Sequence, residues 1–388
     1  MKILFVSDTY YPHINGVYYF VCRVGPMLQR KGHQVAVIAP SPTAASTLKK
    51  VDDLDVYGLP SVSTILYPLI RVPFPIMIRA RVRKLIQDFQ PDVIHVQDHF
   101  LISKTVIEVN RAFNIPIIAT NHFMPENITV LVKGHKWKQQ LEKFLWKEFA
   151  KVYNQVKLVT TPTETGVGIM RPHLKEGVET MAISSGIDLQ LFSPEGDTST
   201  VREKYKIPHK PVLLYVGRLD PEKRIDEILH AVAIAAKTVD FTFLVVGKGT
   251  KKAELEALAK SLGIESQAIF TGFVPDEDLP FIYKLARCFI IASIAELLSL
   301  VTLQAMASGL PIIAVKAGAL VELVRGNGYL YHEGDIEAMV SAIEEITTND
   351  IIYQGMRIKS LEIVQQHSIE RTLATFEHLY QSKVAKVA

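Results

Sequence analysis

The stretch FTFLVVGKGTKKAELEALAKSLG, residues 241–263, contains in order the three parts of an α/β unit. Its first part, residues 241–247, is a continuous apolar run, which is typical of a strand buried on both faces in a parallel sheet. Gly247-Lys248-Gly249 interrupts the run, and these glycines allow either a plain turn or a close approach of the backbone to a ligand. The rest has helical composition and ends at Gly263, a common helix stop. The stretch therefore predicts a strand, a turn and a helix.

The same alternation runs through the whole chain in two series, which favours doubly wound α/β units. The first series contains the candidate strands 2–6, 34–39, 92–96, 116–120 and 158–162, and the second contains 212–217, 241–247, 268–272, 288–293 and 311–315. The sequence therefore predicts an α/β protein of two facing Rossmann-like domains with a cleft between them. Ligands of such sheets bind at the carboxyl ends of the strands, so we expect the functional motifs directly after strands.

The segment 184–211 separates the two series. It is rich in Ser, Gly, Pro and charged residues and poor in strand signals, as domain boundaries often are. We place the boundary near residue 195, which gives an N-terminal domain 1–195 and a C-terminal domain 196–369. No strand follows the helix predicted within residues 370–388, and we expect this helix to pack back on the first domain.

Length and composition exclude several classes of protein. The 388 residues are enough for two domains, each with its own core. A net charge of +3 and a pI of about 8.6 are too mild to indicate nucleic-acid binding. Cys22 and Cys288 lie far apart and form no CxxC pair, which disfavours a disulfide framework or a zinc site. The first apolar run, residues 3–6, is too short for a signal peptide, and no apolar stretch reaches 18 residues, so we expect a cytoplasmic protein.

Two loops that follow candidate strands carry groups suited to an anion. Asn15-Gly16 predicts a tight turn before a helix, whose backbone N–H groups could face an anion or belong to an ordinary loop. Arg218 and Lys223 follow the strand 212–217 closely. A guanidinium fork and an ammonium point charge suit a diphosphate, although a solvated loop would also contain such charges.

The stretch AELLSLVTLQAMASGLP, residues 295–311, places two polar side chains in an apolar segment. Ser299 is a suitable N-cap for a short helix over residues 302–308, and Glu296 then lies in the loop before that helix. The amides of Leu300 and Val301 would be free first-turn donors aimed at an anion. Gln304, one turn further, could reach the same ligand, or it could be a buried amide with a backbone partner.

His122, in ATNHFMPEN after the strand 116–120, could orient a hydroxyl group or transfer a proton. A single histidine is, however, more often structural.

Taken together, GRLDPEK (217–223), FTGFVP (270–275) and the pattern E-x7-Q-AMASGLPIIA resemble the retaining, nucleotide-sugar-dependent glycosyltransferases of family 4, which have the GT-B fold. The resemblance covers nearly the whole chain in the right order. ATNHFMPEN and SLVTLQAMASGLP look most like the bacterial members that glycosylate diacylglycerol. The resemblance implies hexose transfer, with retention of configuration, from a UDP-sugar to a lipid such as diacylglycerol.

The resemblance also implies a role for each matching residue. The Gly16 loop would close over the donor phosphates, Arg218 and Lys223 would bind the diphosphate, and the backbone around Phe273 would hold the base. Glu296 would accept from the hydroxyls of the donor sugar, the amides of Leu300 and Val301 would contact phosphate, and His122 would contact the transferred sugar. Cationic side chains and helix N-termini would neutralise the leaving group, so no metal and no other cofactor is expected.

Gln304 departs from the family pattern, which usually has a second acid there that accepts from both ribose hydroxyls. An amide can accept from only one. Since a hydrogen bond to a charged group contributes about 1.5–3 kcal/mol, we expect donor binding to be weakened roughly ten- to a hundredfold. This leaves open a nucleotide-sugar-binding protein with a weakened donor site. A glycosyltransferase with a soluble saccharide or metabolite acceptor, and an epimerase with the same frame, are further alternatives.

Two basic and apolar segments of the first domain predict contact with an anionic membrane surface. Residues 133–157 carry seven lysines and both tryptophans, Trp137 and Trp146. Apolar residues of this segment follow helical spacing, interrupted by Glu148: Trp137, Leu141, Phe144, Leu145 and Val152. Residues 69–86 add Arg79 and Arg81 among apolar residues. The alternative is that both helices pack on the first sheet with their charges solvated. With a lipid acceptor, we expect a protein peripherally bound to the inner face of the cell membrane.

Overall fold

The computed structural model describes residues 1–11, 15–63, 71–125, 129 and 134–385. The chain divides into two compact units: the first contains Met1–Gly186 and the chain from Glu370 onward, and the second contains Ile187–Ile369. The division lies at residue 186, not near residue 195. The physical reason is that Ile187 and Phe192 are buried in the hydrophobic core of the second unit, and Ile187 forms a bridge with Ser368.

The first unit contains an eight-stranded sheet in the order β10-β9-β8-β7-β1-β2-β4-β3, parallel except for the edge strand β3. A separate antiparallel pair is formed by β5 and β6. The strands are β1 (Lys2–Val6), β2 (Gln34–Pro40), β3 (Thr47–Val51), β4 (Leu54–Leu59), β5 (Ser61–Ser63), β6 (Arg71–Pro73), β7 (Val93–Val96), β8 (Ile117–Thr120), β9 (Leu158–Thr161) and β10 (Glu179–Ala182).

The second unit contains a six-stranded parallel sheet in the order β13-β12-β11-β14-β15-β16. Its strands are β11 (Val212–Val216), β12 (Thr242–Val246), β13 (Ala268–Gly272), β14 (Cys288–Ile291), β15 (Ile312–Val315) and β16 (Gly328–Tyr331). The two central strands are fully buried, because helices cover both faces of a parallel sheet.

Helices connect the strands in both units. In the first unit they are α1 (Gly16–Arg30), α2 (Pro75–Phe89), α3 (Leu101–Asn110), α4 (His135–Tyr153) and α5 (Glu164–Met170). In the second unit they are α6 (Ser199–Lys204), α7 (Ile225–Ala235), α8 (Lys252–Ser261), α9 (Leu279–Lys284), α10 (Leu300–Ala307), α11 (Leu320–Leu323), α12 (Ile336–Thr348) and α13 (Asp350–Val364). The last helix, α14 (Ile369–Ala385), begins in the second unit and continues in the first.

The two Rossmann-like parallel sheets confirm the predicted α/β fold class. All ten predicted strands are present with ends shifted by a residue or two, and α8 ends before Gly263, whose φ of 73° is the left-handed conformation of a helix stop. Six strands were not predicted: β3, β4, β5, β6, β10 and β16. Most of these are short or partly exposed edge strands that lack a continuous apolar run.

α14 is anchored in the first unit by polar contacts as well as apolar ones. The hydroxyl of Tyr380 lies 2.7 Å from Nδ1 of the buried His95. Glu377 contacts Lys31 and His33, and Thr372 donates to the carbonyl of Ser184.

Candidate active site

The sheet of the second unit has a topological switch point between β11 and β14. From β11 the chain continues to β12 and β13 on one side, whereas β14 pairs with β11 on the other side. The carboxyl ends of the two strands leave a crevice at such a point, which is where open α/β sheets bind ligands. The loops that follow β11 and β14 contain the predicted residues Arg218, Lys223 and Glu296.

Lys223 and Glu296 meet at this switch point. The Nζ of Lys223 lies 2.7 Å from Oε1 of Glu296 and 3.3 Å from the hydroxyl of Ser293, and both charged side chains are largely buried. An ion pair that is mostly withdrawn from water depends on its partner, since removing one charge leaves the other uncompensated. The pair therefore supplies one cation and one hydrogen-bond acceptor at a fixed separation.

Arg218 lies on the same loop but has different partners. Its guanidinium contacts Asp220 and Glu222, each at 2.5 Å, and its side chain is 68% exposed. The structure thus brings Lys223 together with Glu296, whereas it holds Arg218 between two acids at the surface of the second unit.

The glycines after β11 and β12 are required by the packing of the two strand ends. A Cβ atom on Gly247, with φ of 142°, would lie 1.8 Å from the carbonyl oxygen of Gly217. A Cβ atom on Gly217 would lie 2.8 Å from the hydroxyl of Tyr215. Close approach of the backbone accounts for Gly247 and the Tyr215 side chain accounts for Gly217, and ligand contact by Gly247 stays a prediction.

Helix α10 begins two residues earlier than predicted, at Leu300. The predicted cap is confirmed, because the hydroxyl of Ser299 accepts from the amide of Thr302. Leu300 and Val301 form the first turn, where helix N–H groups have no intrahelical acceptor. Their N–H groups are therefore in the first turn of the helix that follows Glu296, which is the position that the predicted contact with phosphate needs.

Gln304 is a buried amide with a side-chain partner. It is 7% exposed, and its Oε1 accepts from the hydroxyl of Tyr283 at 2.9 Å. Tyr283 is itself fully buried. The alternative of a buried amide is therefore confirmed, but the partner found among the described residues is a side-chain hydroxyl and not a backbone group. The second lone pair of Oε1 and the Nε2 group remain for a ribose.

Phe273 and Gly16 lie at accessible positions. Phe273 follows β13, is 62% exposed and has the ammonium of Lys248 5.4 Å from its ring centroid. Gly16 begins α1, and the side chain of the N-cap Asn15 accepts from the amide of Tyr18 at 2.9 Å. A Cβ atom on Gly16 would meet no atom within 4 Å of the described structure.

His122 contacts a residue that sequence reasoning missed. Its Nε2 lies 2.9 Å from Oε1 of Gln97, which follows β7. Burial lowers the pKa of His122 to about 4, against an opposing effect of Asp98. The signal was present in HVQDHF, residues 95–100, where three polar side chains follow a buried strand. Glu126 and Asn127, which the sequence would also allow to cap the next helix, lie outside the described residues.

Trp146 does not face a membrane. It is 8% exposed and stacks on the ring of His173 at 3.9 Å, and it packs with Phe149 in the core of the first unit. The prediction was wrong because the helical spacing of residues 133–157 is compatible with more than one apolar face. The face of α4 that packs inward contains Trp146, Phe149, Val152 and Tyr153.

The other three residues predicted on the membrane side remain partly or fully accessible. Trp137 is 70% exposed. Arg79 is exposed and pairs with Glu108 of α3. Arg81 is partly buried, and its Nη1 has no hydrogen-bond partner in the described part of the chain.

No described helix combines the length and apolar character needed to cross a bilayer. Within the described ranges, no group of three or more His, Cys, Asp or Glu side chains is arranged to hold a metal ion.

Two family models match the chain, one on each unit. The model of glycosyltransferase family 4 matches residues 14–191, and the model of glycosyl transferases group 1 matches residues 197–360. Together the two models cover most of the chain, which is a glycosyltransferase similar to family 4. The GT-B fold expected of this glycosyltransferase is also found in the crystal structure of Anabaena Alr3699/HepE in complex with UDP-glucose, with a TM-score of 0.75 at 18% identity, covering 98% of this chain and 100% of that one.

Curated relatives of this glycosyltransferase differ in sugar and acceptor. The alpha-monoglucosyldiacylglycerol synthase of Streptococcus pneumoniae is 29% identical, with 96% of this chain and 88% of that protein covered. The GDP-mannose-dependent alpha-mannosyltransferase of Mycobacterium tuberculosis is 26% identical, with 87% and 85% covered.

Proposed function

We propose that this glycosyltransferase transfers a hexose, most simply glucose, from a UDP-sugar to a membrane lipid such as diacylglycerol. The observation that carries the proposal is the buried Lys223–Glu296 pair at the switch point of the second sheet. The ammonium suits a diphosphate, and the carboxylate suits sugar hydroxyls. The similarity to a monoglucosyldiacylglycerol synthase over nearly the whole chain supports glucose and a lipid acceptor, and a protein of this fold that holds UDP-glucose supports the nucleotide.

Substitution with retention would need no protein nucleophile. The bond between the anomeric carbon and the diphosphate oxygen breaks while the acceptor oxygen bonds to the same face of that carbon. The acceptor proton passes to the leaving diphosphate, and UDP is released. Catalysis then rests on positioning and on stabilisation of the diphosphate charge by Lys223 and the first-turn amides of α10. Arg218 would have to exchange Asp220 and Glu222 for the diphosphate to contribute. We expect no metal requirement, so activity should persist in excess chelator.

The test is an assay with separate donors and a defined lipid. Purified protein is incubated with UDP-glucose, UDP-galactose or GDP-mannose and with diacylglycerol in mixed micelles, and new glycolipids are identified by mass spectrometry. We expect a hexosyl-diacylglycerol from UDP-glucose, reduced at least about a hundredfold in Lys223→Met and in Glu296→Gln. NMR of the product reports the anomeric configuration.

Other outcomes of this assay would each overturn a part of the proposal. If product forms only from GDP-mannose, the proposed UDP-sugar donor is wrong and the donor is GDP-mannose. If soluble saccharides in a membrane extract are glycosylated and no glycolipid forms, the proposed lipid acceptor is wrong and the acceptor is a saccharide. Isomerisation or hydrolysis of donor without any acceptor would indicate an epimerase or a hydrolase.

A further inference from the structure

The sheet of the first unit has a switch point of its own, between β7 and β1. From β1 the chain continues to β2 on one side, whereas β7 pairs with β1 on the other side. Polar side chains follow β7 and its neighbour β8 at this edge. Two of them, Gln97 and His99, have buried polar atoms without a hydrogen-bond partner in the described part of the chain.

Gln97 is fully buried and uses only one end of its amide. Its Oε1 lies 2.9 Å from Nε2 of His122, while its Nε2 has no hydrogen-bond partner among the described residues. Since an amide oxygen can only accept, this orientation of the Gln97 amide pairs with a His122 ring that is protonated on Nε2. A buried N–H group without a partner is costly, so a native protein that retains one usually pairs it with water or with a ligand.

His99 presents a second unpaired atom at the same strand end. It is 4% exposed, and its Nδ1 has no partner in the described part of the chain. The ring is enclosed by those of Phe100, Phe123, Phe149 and Tyr153, with centroids 4.5–5.6 Å away. Burial lowers the pKa of His99 to about 4, so Nδ1 of the neutral ring can accept a hydrogen bond.

We propose that Gln97 is a positioning residue that holds His122 with Nε2 protonated, and that the unpaired amide group of Gln97 donates to a hydroxyl group of the acceptor. A hydroxyl oxygen can accept from such an amide N–H group. A metal or an inorganic anion matches the amide group less well, because an amide N–H cannot ligate a metal and Gln97 carries no positive charge. The assignment of the hydroxyl to an acceptor rests on the proposed function.

The charges around His122 make its tautomer important. Asp98 is the charged group that acts on it, and its carboxylate is already held by the hydroxyls of Ser7 and Ser103. His95 is the neighbouring titratable ring and is itself paired on both nitrogens, with Tyr380 and Thr120. At neutral pH His122 is uncharged, so its hydrogen-bonding capacity depends on which nitrogen carries the proton.

The first test needs no substrate. NMR of the ¹⁵N-histidine-labelled full chain reports which nitrogen of His122 is protonated, with His122→Asn for assignment. We expect the Nε2–H tautomer in the unmodified protein and a mixture of tautomers in Gln97→Met. An Nδ1–H tautomer in the unmodified protein would overturn the proposal whether or not the chain transfers glucose, so this failure is distinct from failure of the proposed function.

The second test uses steady-state kinetics with diacylglycerol in mixed micelles. Gln97→Met should raise the KM for the acceptor about ten- to a hundredfold, and it should lower kcat because His122, which would contact the transferred sugar, loses its fixed tautomer. Gln97→Glu keeps an acceptor for His122 but adds a negative charge, so the acidic limb of the pH–rate profile should move up by about one unit or more. Gln155→Met, at an exposed glutamine of the same unit, is the control.

An unchanged KM for the acceptor in Gln97→Met, or an unshifted pH profile in Gln97→Glu, would show that Gln97 is only structural. If either variant fails to fold, as judged by circular dichroism, the tautomer of the unmodified protein still decides the question.

Discussion

At the scale of the residue, the contact between Gln304 and Tyr283 explains how an amide is accommodated where the family usually has an acid. The site is 7% exposed, and the partner of Gln304 is a neutral hydroxyl. A carboxylate would keep the hydrogen bond but would bring a negative charge into a mostly dry environment, at a cost in stability. An amide meets the same hydroxyl without that cost, and it loses the second acceptor oxygen that a ribose would use.

Gln304→Glu should therefore raise the affinity for the donor and lower the stability of the fold. We expect donor affinity to rise roughly ten- to a hundredfold, since a charged acceptor contributes about 1.5–3 kcal/mol more than its absence. The thermal midpoint should fall at the same time. Isothermal titration with UDP-glucose and a thermal melt measure the two effects.

Tyr283→Phe is the matched control for Gln304→Glu. It leaves the amide oxygen of Gln304 unpaired in the core and should cost about 1–3 kcal/mol of unfolding free energy, with an unchanged active-site charge. If Gln304→Glu leaves donor affinity unchanged, Gln304 does not contact the ribose.

At the scale of the element, α4 has two faces of different character. One packs Trp146 and Phe149 into the core of the first unit. The other carries the exposed side chains of Lys136, Lys143, Lys147 and Lys151, spaced so that they share one side of the helix. Trp137 and Phe144, 70% and 56% exposed, lie beside these lysines. Exposed aromatic side chains next to a basic stripe are typical of a helix that lies on an anionic membrane surface.

The basic stripe of α4 should therefore control binding to anionic vesicles. Each lysine near such a surface contributes about 1 kcal/mol, so replacing Lys143 and Lys147 by Gln should weaken vesicle binding about thirtyfold. Flotation with anionic and with neutral vesicles measures the change, and Trp137→Ser should weaken binding to the anionic vesicles further.

Lys251 and Lys252 at the start of α8 provide the matched control, since they are lysines of the second unit that pair with nearby acids. Replacing them by Gln should leave flotation unchanged. If both double variants lose vesicle binding equally, the effect is due to net charge and not to the basic stripe of α4. If the unmodified protein binds neither kind of vesicle, the proposed membrane contact is wrong.

At the scale of the whole molecule, the two units should differ in their response to acid. The first unit buries His95, His99 and His122, and burial lowers the pKa of each, to about 4 for the last two. Below pH about 6.5 the unfolded chain takes up protons that these rings do not accept in the folded state, so stability falls as the pH drops from 6.5 toward 4. Asp8 opposes this trend, because burial raises the pKa of its carboxyl group.

We expect the lowered pKa of His99 alone to reduce the free energy of unfolding by roughly 1.4 kcal/mol at pH 5.5 relative to pH 8. Urea unfolding at the two pH values, followed by probes in each unit, should show the loss in the first unit. The loss should be smaller by that amount in His99→Phe and unchanged in His378→Asn, at an exposed histidine of the same unit. A loss that is the same in His99→Phe as in the unmodified chain would contradict the buried neutral ring.

The sequence by itself determined the α/β class, ten strands of the two large sheets, the helix ends at Ser299 and Gly263, and the loops on which Lys223, Glu296 and His122 lie. These features are local. A strand covered on both faces needs a continuous apolar run, a helix needs a cap and a stop, and parallel strands place their loops at one edge.

Only the tertiary structure decided which of these residues meet. Lys223 and Glu296 are 73 residues apart and Gln97 and His122 are 25 apart, and each pair forms because the order of strands in its sheet brings two strand ends together. The burial of Trp146 and the partner of Gln304 could likewise not be predicted from the sequence. A periodic pattern defines the possible faces of a helix but not which of them the core covers. The unpredicted edge strands β3 and β10 form through pairing with a neighbour, a long-range interaction that leaves little trace in their own side chains.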